Sequence, residues 1–210
     1  MQIIPSEVTL MKKLLPIILI IASILTLCSC GGPYSGKEGE VREILLPLLQ
    51  KDAVISSYIW GDAFEIGEEV STAEKNSLTA LYKYVADDSP YKSCDELRAA
   101  ASEIYSEDLM ANISAFAFEN NDTVMSRFCD ADSGDVRLKI DVSQNHGSFN
   151  LTAHIFTDTL KVTRSTATII ECEVEFAAGE SDTRRSMTVK LIKEGDTWKL
   201  DSQTWVKSVE

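Results

Sequence analysis

The spacing of the hydrophobic residues changes once along the chain, near residue 124. Before this point apolar side chains recur about every 3.6 residues, and after it they recur about every two. The first spacing predicts amphipathic helices, and the second predicts strands with one covered face. Helices that precede a run of strands are typical of an α+β domain. We therefore predict N-terminal helices packed on one face of a curved antiparallel sheet.

Three stretches of the first half have helical patterns. Residues 40–60 carry a long apolar stripe, and Pro47 inside it predicts a kink or a second helix start. A capping box at residues 93–96, in which the serine and the glutamate can each bond the other's backbone amide, predicts a helix to about residue 105. A further serine cap predicts a helix over residues 106–117. The stripe of the first helix is predicted to comprise Val41, Ile44, Leu45, Leu48, Leu49, Ala53, Val54 and Tyr58.

Strands are predicted in the remaining segments. Residues 62–76 are polar and acidic and predict a loop with one short strand, and residues 78–85 predict another strand. The row Glu171, Glu173 and Glu175 predicts a solvated strand face that pairs with basic residues on its neighbours. Alternation in the second half predicts strands over residues 136–142, 149–155, 160–162, 170–176 and 187–191, followed by a hairpin across Gly195-Asp196.

The first thirty residues differ in composition from the rest. A short basic segment, residues 11–13, precedes an apolar run over 14–27 that is shorter than the roughly 20 residues needed to cross a bilayer. The run ends in Leu27-Cys28-Ser29-Cys30, which resembles the lipobox of bacterial lipoproteins. This resemblance implies that residues 1–29 are a lipoprotein signal peptide and that Cys30 is lipidated. An uncleaved signal anchor or an ordinary secretory signal is the alternative, and residues 1–10 have the character of a misassigned start.

The lipobox also sets the expected domain organisation and location. Residues 30–36 are rich in glycine and predict a flexible, lipid-anchored tether. Residues 37–210 are enough for a single domain with one core. We therefore expect the protein to be anchored to the cell membrane on its extracytoplasmic face.

Acidic residues outnumber basic ones along the chain. The sequence has 33 Asp and Glu against 20 Lys and Arg, a net charge of −13. Because Glu7, Lys12 and Lys13 lie in the predicted signal peptide, the mature chain would carry 32 acids and 18 bases, or −14. A surface of this sign is poorly suited to phosphate backbones, so we expect no nucleic-acid partner.

Motifs for catalysis or for metal binding are not apparent in the sequence. His146 and His154 stand apart, and no nucleophile motif or phosphate-binding loop occurs. Residues 130–141 partly follow the spacing of a calcium loop but lack its central glycine and its final glutamate, so a turn is the better interpretation. We therefore predict neither an enzyme nor a metal or cofactor site. The three remaining cysteines favour buried small side chains, with one disulfide as the alternative: Cys94, Cys129 and Cys172.

Several segments together resemble the NTF2-like (cystatin-like cone) superfamily. More narrowly, they are similar to a family of secreted bacterial proteins that includes the D,L-endopeptidase inhibitor of cell-wall hydrolases. The similarity extends over most of residues 40–205. The segments are Ser57-Tyr58-Ile59-Trp60-Gly61, residues 91–97, residues 104–109, Asp132-Ser133-Gly134-Asp135 and the hairpin at Trp198. The resemblance implies an NTF2-like fold and a cell-wall hydrolase as the partner.

Two functions are therefore expected. The first is an extracytoplasmic binding protein that modulates or inhibits a cell-wall D,L-endopeptidase through two acidic loops. The alternative is a small-molecule binder or degenerate enzyme whose cavity is lined by Tyr82, Tyr84, Tyr91 and either Asp62 or Glu65. A large apolar cavity with a converging acid and tyrosine would favour the alternative. The candidate binding residues of the first function are Trp60, Asp62, Glu65, Asp130, Asp132 and Asp135. For Trp60 the alternative is a core residue, which is the more common role of a tryptophan near a helix end.

Overall fold

The computed structural model describes residues 32–69, 82–119, 126–131, 138–141, 153–179, 181 and 183–210. Cys30, Asp132, Asp135 and His146 lie outside these residues. Within them, three helices are α1 (Glu38–Ile59), α2 (Cys94–Ser102) and α3 (Glu107–Ala117). The strands are β1 (Ile66–Glu69), β2 (Tyr82–Val85), β3 (Phe128–Asp130), β4 (Leu138–Asp141), β5 (Ala153–Ser165), β6 (Ile169–Ala178), β7 (Arg184–Glu194), β8 (Thr197–Leu200) and β9 (Val206–Val209).

The strands form two sheets, so the prediction of an α+β protein is confirmed but that of a single antiparallel sheet is not. A small antiparallel sheet has the order β1-β2-β4-β3. A larger sheet has the order β8-β7-β6-β5-β9, in which β9 pairs in parallel with β5. The parallel pair arises because the chain leaves β8 at one edge and returns through residues 201–205 to the opposite edge. Two sheets and one parallel pair thus replace the predicted meander.

Helix α1 packs against the large sheet, where it contacts β5, β8 and β9. Helices α2 and α3 contact each other, and α2 also contacts β3 of the small sheet. Apolar side chains from all three helices and from both sheets share one core. The core therefore lies between the helices and the sheets.

Helix α1 runs without interruption through Pro47, so the predicted second helix start at this proline does not occur. Its buried stripe agrees with prediction at Val41, Leu45 and Leu49 and then departs from it. Val54 is 54% exposed, because the helical period turns this position away from the sheet. The buried residues after Leu49 are Asp52, Ile55, Ser56 and Ile59.

Both predicted serine caps are present. The Glu96 amide donates to Ser93 Oγ over 3.1 Å, and the Leu109 amide donates to Ser106 Oγ over 3.1 Å. The reciprocal bond of the capping box is shifted by one residue, since Glu96 Oε2 accepts from the amide of Lys92 at 2.6 Å. Helix α2 ends at Ser102, earlier than predicted. The chain beyond it pairs with the end of β8 instead of continuing the helix.

The large sheet follows the predicted alternation. The two runs expected at 149–155 and 160–162 belong in their described part to one strand, β5. The solvated face on β6 is confirmed, with Arg164 pairing with Glu171 at 3.4 Å and Arg184 with Glu175 at 3.2 Å. Exposed pairs of this kind contribute only about 0.2–1 kcal/mol each. The hairpin between β7 and β8 turns at Gly195, whose φ of 59° suits glycine.

The small sheet departs from the alternation rule. All four residues of β4 are buried, including Lys139 and Asp141 on the face that was predicted to be solvated. Strand β3 has no alternating signal because it is only three residues long. The three described cysteines form no disulfide with one another; Cys94 and Cys172 are buried and Cys129 is partly exposed. The prediction of buried small side chains therefore holds fully for two of them.

The described part of the predicted tether folds back onto the domain. Residues 33–36 form a turn, in which the Ser35 amide donates to the Gly32 carbonyl at 3.0 Å. The Tyr34 amide donates to Ser165 Oγ at 3.1 Å, and the Tyr34 ring packs edge-on against Trp198. The segment 32–36 is thus attached to the large sheet. Among the described residues, no helix is long and apolar enough to span a membrane.

Candidate functional site

A buried acid, Asp52, lies in the C-terminal half of α1. Both carboxylate oxygens of Asp52 accept hydrogen bonds from hydroxyl groups: Oδ1 from Ser56 Oγ at 2.7 Å and from Tyr105, and Oδ2 from Thr204. The Ser56 and Tyr105 hydroxyls are also 3.1 Å apart. These four side chains, Asp52, Ser56, Tyr105 and Thr204, form the Asp52 cluster. They join α1 to the segment before α3 and to the link between β8 and β9.

Burial determines the electrostatics of the Asp52 cluster. It raises the pKa of Asp52, and the bonds from Thr204, Tyr105 and Ser56 oppose this effect only in part. Burial also raises the pKa of Tyr105, and the neighbouring Asp52 carboxylate raises it further. The Asp52 side chain has 0% exposure. An acid and a tyrosine therefore converge, as an NTF2-like enzyme would require, but solvent does not reach them.

A groove of about 420 Å³ lies between α1 and α2, and no residue of the Asp52 cluster lines it. Its walls are mainly apolar, and the ion pair between Lys51 and Glu103, with 3.5 Å between Nζ and Oε2, spans part of its rim. The groove is lined by Pro47, Gln50, Val54, Ile55, Tyr91, Ala100 and Ile104 together with that pair. This is a surface depression and contains neither the buried acid nor its tyrosine.

Trp60 is a core residue and does not present its ring to a partner. It is 6% exposed and its ring lies 4.8 Å from Phe116 and 5.4 Å from Trp205, measured between centroids. Trp60 was predicted as a candidate binding residue, and the turn after α1 directs its ring into the core. Its backbone carbonyl accepts from Arg127 Nη1 at 3.2 Å.

Arg127 positions the loop that follows α1. Its Nη2 donates to the Gly61 carbonyl at 2.6 Å, in addition to the bond to the Trp60 carbonyl. Burial lowers the pKa of Arg127 to about 10, while nearby Asp62 and Asp141 act in the opposite direction. Arginine at this pKa remains protonated at neutral pH. It fixes the end of α1 and thereby the start of the acidic loop, a role that no sequence pattern indicated.

An exposed acidic strand follows this loop. All four residues of β1 are exposed, and among the described strands β1 lies at the edge of the small sheet with β2 as its neighbour. Ile66 is 46% exposed, which is unusual for a large apolar side chain in this protein. Asp62 and Glu65 are exposed in the preceding segment, as predicted. We define the acidic edge as Asp62, Glu65, Ile66, Glu68 and Glu69.

The second of the two predicted acidic loops contains Asp130, Asp132 and Asp135. Of these, the structure describes Asp130, which has a structural role. Asp130 is exposed, but its Oδ1 accepts from the Cys94 amide at 2.7 Å and so caps the first turn of α2. The function of Asp132 and Asp135 stays a prediction, since they lie outside the described residues. Among the described residues, no group of three or more histidine, cysteine or acidic side chains is arranged to hold a metal ion.

The predicted tyrosine-lined cavity is not assembled. Tyr82 and Tyr84 are buried on β2 beside β4, where their register partners are Asp141 and Lys139. The Tyr82 hydroxyl donates to the Ser126 carbonyl, and burial raises its pKa to about 12. Tyr91 instead lines the groove between α1 and α2. The tyrosines thus occupy two separate places, and neither Asp62 nor Glu65 lines the groove that contains Tyr91.

Comparison with known proteins gives no relative from which a function could be transferred. The chain matches no protein-family model and no curated protein. The functional assignment therefore depends on the geometry of the acidic edge and of the Asp52 cluster.

Proposed function

We propose that this protein is a lipid-anchored, extracytoplasmic binding protein that uses its acidic edge to engage a basic surface on another envelope protein. The observation that supports the proposal is the complete exposure of β1, an edge strand that combines acidic side chains with the exposed Ile66. An edge strand offers backbone hydrogen-bonding groups to a partner. The carboxylates would accelerate the encounter with a basic partner and select against acidic ones.

A cell-wall D,L-endopeptidase is the partner that we propose. The resemblance of this chain to the endopeptidase-inhibitor family supports that choice, as does an NTF2-like interpretation of its α+β fold. The physical argument is that a peptidase cleft accommodates an extended chain. Strand β1 presents an extended backbone at a sheet edge, so it has a suitable shape to occupy and block such a cleft.

The alternative, a small-molecule binder or degenerate enzyme, is supported by the pairing of Asp52 with Tyr105. That pair is closed to solvent, and its oxygens bond Ser56, Thr204 and each other. A ligand would have to displace these bonds and separate α1 from the sheet before any proton could be transferred. The exposed acidic edge requires no such opening, and we therefore assign the function to it.

The test is a titration of the chain from Gly31 to Glu210 against a purified cell-wall D,L-endopeptidase, with binding and peptidoglycan hydrolysis measured at low and moderate salt. We expect saturable binding, loss of hydrolysis, and an association rate that falls as salt rises. The double variant Glu65→Lys/Glu68→Lys should lose most of the binding. Glu171→Lys/Glu173→Lys makes the same change of charge on β6 and should retain it.

Two results would contradict the proposal. Equal losses in both double variants would show that only net charge matters and that the acidic edge is not the contact. Absence of binding and of inhibition at tens of micromolar, corresponding to a free energy weaker than about −6 kcal/mol, would exclude the endopeptidase as the partner.

A further inference from the structure

The chain is attached to one corner of the large sheet immediately after the predicted lipidation site. The Tyr34 amide donates to Ser165 Oγ at 3.1 Å, and the centroid of its ring lies 5.7 Å from that of Trp198 at an interplanar angle of 84°. A Cβ atom on Gly32 would overlap the Ser165 carbonyl, so the backbone approaches this strand more closely than any side chain would allow. We call Tyr34, Ser165 and Trp198 the anchor corner.

The distance from the lipid to the anchor corner is limited by the covalent chain. Tyr34 follows Cys30 by four positions, and a fully extended chain of that length spans at most about 14 Å. The domain therefore has little freedom to move away from a lipid attached to Cys30. The end of the sheet that contains the anchor corner must remain close to the headgroups.

The anchor corner belongs to one end of the large sheet. Strand β5 ends there and β6 begins there, and the hairpin between β7 and β8 turns at the same end. Tyr34 and Trp198 are both partly exposed. Tyrosine and tryptophan suit the membrane interface because each has an apolar ring with one polar group. Lys37 and Arg164 are also exposed near this corner, where Lys37 pairs with Glu40 at 3.3 Å and Arg164 with Glu171 at 3.4 Å.

Helix α1 carries the chain from this corner to the acidic edge. It starts at Glu38, four residues after Tyr34, and ends at Ile59, three residues before Asp62. A helix of 22 residues is about 33 Å long. Its first turn carries Glu38 and Glu40, so acidic side chains occur near both ends of the helix. The start of α1 also lies next to the partly exposed aromatic pair of Tyr34 and Trp198.

We propose that the anchor corner faces the lipid bilayer and that α1 points away from it, so that the acidic edge is held at the distal end of the domain. This inference rests on the lipid anchor of the proposed function. It specifies the lipid surface as the partner of the anchor corner and makes the acidic edge accessible from the cell wall. The short chain to Cys30 determines which end of the domain lies near the membrane. The length of α1 determines the height of the acidic edge above the membrane.

The tryptophans supply intrinsic donors at both ends of the domain. Trp198 belongs to the anchor corner, whereas Trp60 and Trp205 pack together just beyond the end of α1. The full-length lipoprotein would be reconstituted into anionic vesicles that contain a dansyl-labelled lipid, and energy transfer from tryptophan to dansyl would be measured. We expect Trp198→Phe to lose most of the transfer, and the matched variant Trp205→Phe to retain most of it. Because the two tryptophans lie near opposite ends of α1, we expect the loss of transfer in Trp198→Phe to exceed that in Trp205→Phe by about twofold or more.

A second variant tests the role of the short chain. Insertion of a flexible glycine-serine segment between Gly31 and Gly32 should lower the transfer from Trp198 while it leaves the circular dichroism spectrum unchanged. Equal transfer losses in Trp198→Phe and Trp205→Phe, or a larger loss in Trp205→Phe, would overturn the proposal. Transfer that does not change with the inserted segment would also count against it.

The orientation can be separated from lipidation itself. If the full-length protein fails to float with vesicles, the lipid anchor of the proposed function is wrong. Residues 30–210 carrying Cys129→Ser would then be coupled through Cys30 to a maleimide lipid, and the same tryptophan variants would be compared. Preferential loss of transfer in Trp198→Phe would uphold the orientation in that attached form, and preferential loss in Trp205→Phe would overturn it.

Discussion

Replacement of Asp52 by asparagine should change the pH dependence of stability in a direction set by the structure. Burial raises the pKa of Asp52 in the folded state, whereas an unfolded aspartate titrates with a pKa of about 3.9. Between these two pKa values the folded protein keeps a proton that the unfolded chain has released. The free energy of unfolding of the wild type therefore falls as pH rises through this window and levels off above the folded pKa.

The size of this effect follows from the same linkage. Each unit by which burial raises the pKa costs the folded state about 1.4 kcal/mol once the pH exceeds both pKa values. The amide introduced by Asp52→Asn does not titrate. Its oxygen can still accept from Ser56 and Tyr105, and its nitrogen faces Thr204, whose hydroxyl oxygen can accept. The hydrogen bonds are thus largely preserved, so the variant should match the wild type near pH 4 and become the more stable of the two as pH rises.

Urea unfolding followed by circular dichroism, from pH 4 to pH 8, measures this difference directly. The matched control is Asp158→Asn, which removes a negative charge from an exposed position on β5. It should produce no comparable rise in relative stability. A stability gap between Asp52→Asn and the wild type that shrinks with rising pH would refute the reasoning, because it would mean that the cluster favours the charged carboxylate more than water does.

Three further outcomes follow from described contacts. Arg127→Met should lower the free energy of unfolding by about 2–4 kcal/mol, because two carbonyls at the end of α1 lose their donor. Urea unfolding measures this loss, and an unchanged midpoint would contradict the prediction. Gly32→Ala should detach the N-terminal turn from Ser165, with faster hydrogen exchange at the Tyr34 amide and unchanged exchange in β6. In the folded chain that starts at Gly31, Cys129 should react with dithionitrobenzoate far faster than Cys172 at pH 8, since burial raises the pKa of Cys172 to about 12. Equal reaction rates would refute this prediction.

Local signals made the helices and their caps predictable. The serines at positions 93 and 106 each accept the predicted amide, since a cap depends only on residues within one helical turn. The long strands of the large sheet were predictable for a similar reason, because one covered face produces alternation over many residues. What these elements share is that neighbours in sequence determine them.

Tertiary contacts decided the features that sequence patterns missed. Lys139 is polar and alternates correctly with its neighbours, yet it is buried because the outer face of the small sheet is also covered. Strand β9 is only four residues long, and its pairing with β5 depends on a return of the chain across the large sheet. Neither outcome leaves a periodic signal in the sequence.

The acidic edge was predictable in part. Asp62 and Glu65 were identified as exposed because a polar, acidic segment without periodicity seldom enters a core. The core position of Trp60 agrees with its place near a helix end, but its ring partners Phe116 and Trp205 are distant in sequence and could not be predicted. Asp52 offered a signal that could have been used: it occupies the buried stripe of α1, where a charged residue demands buried partners.

The Asp52 cluster gives α1 a defined position as well as a buried face. Apolar packing alone would tolerate small shifts of the helix along the sheet, whereas hydrogen bonds from Tyr105 and Thr204 require one register. Those bonds come from two different segments, so α1 is fixed against both at once. Because the anchor corner lies before α1 and the acidic edge lies after it, this register also sets the distance between them. In the proposed orientation this register would set the height of the acidic edge above the lipid, and the desolvation of Asp52 would be part of the cost of fixing it.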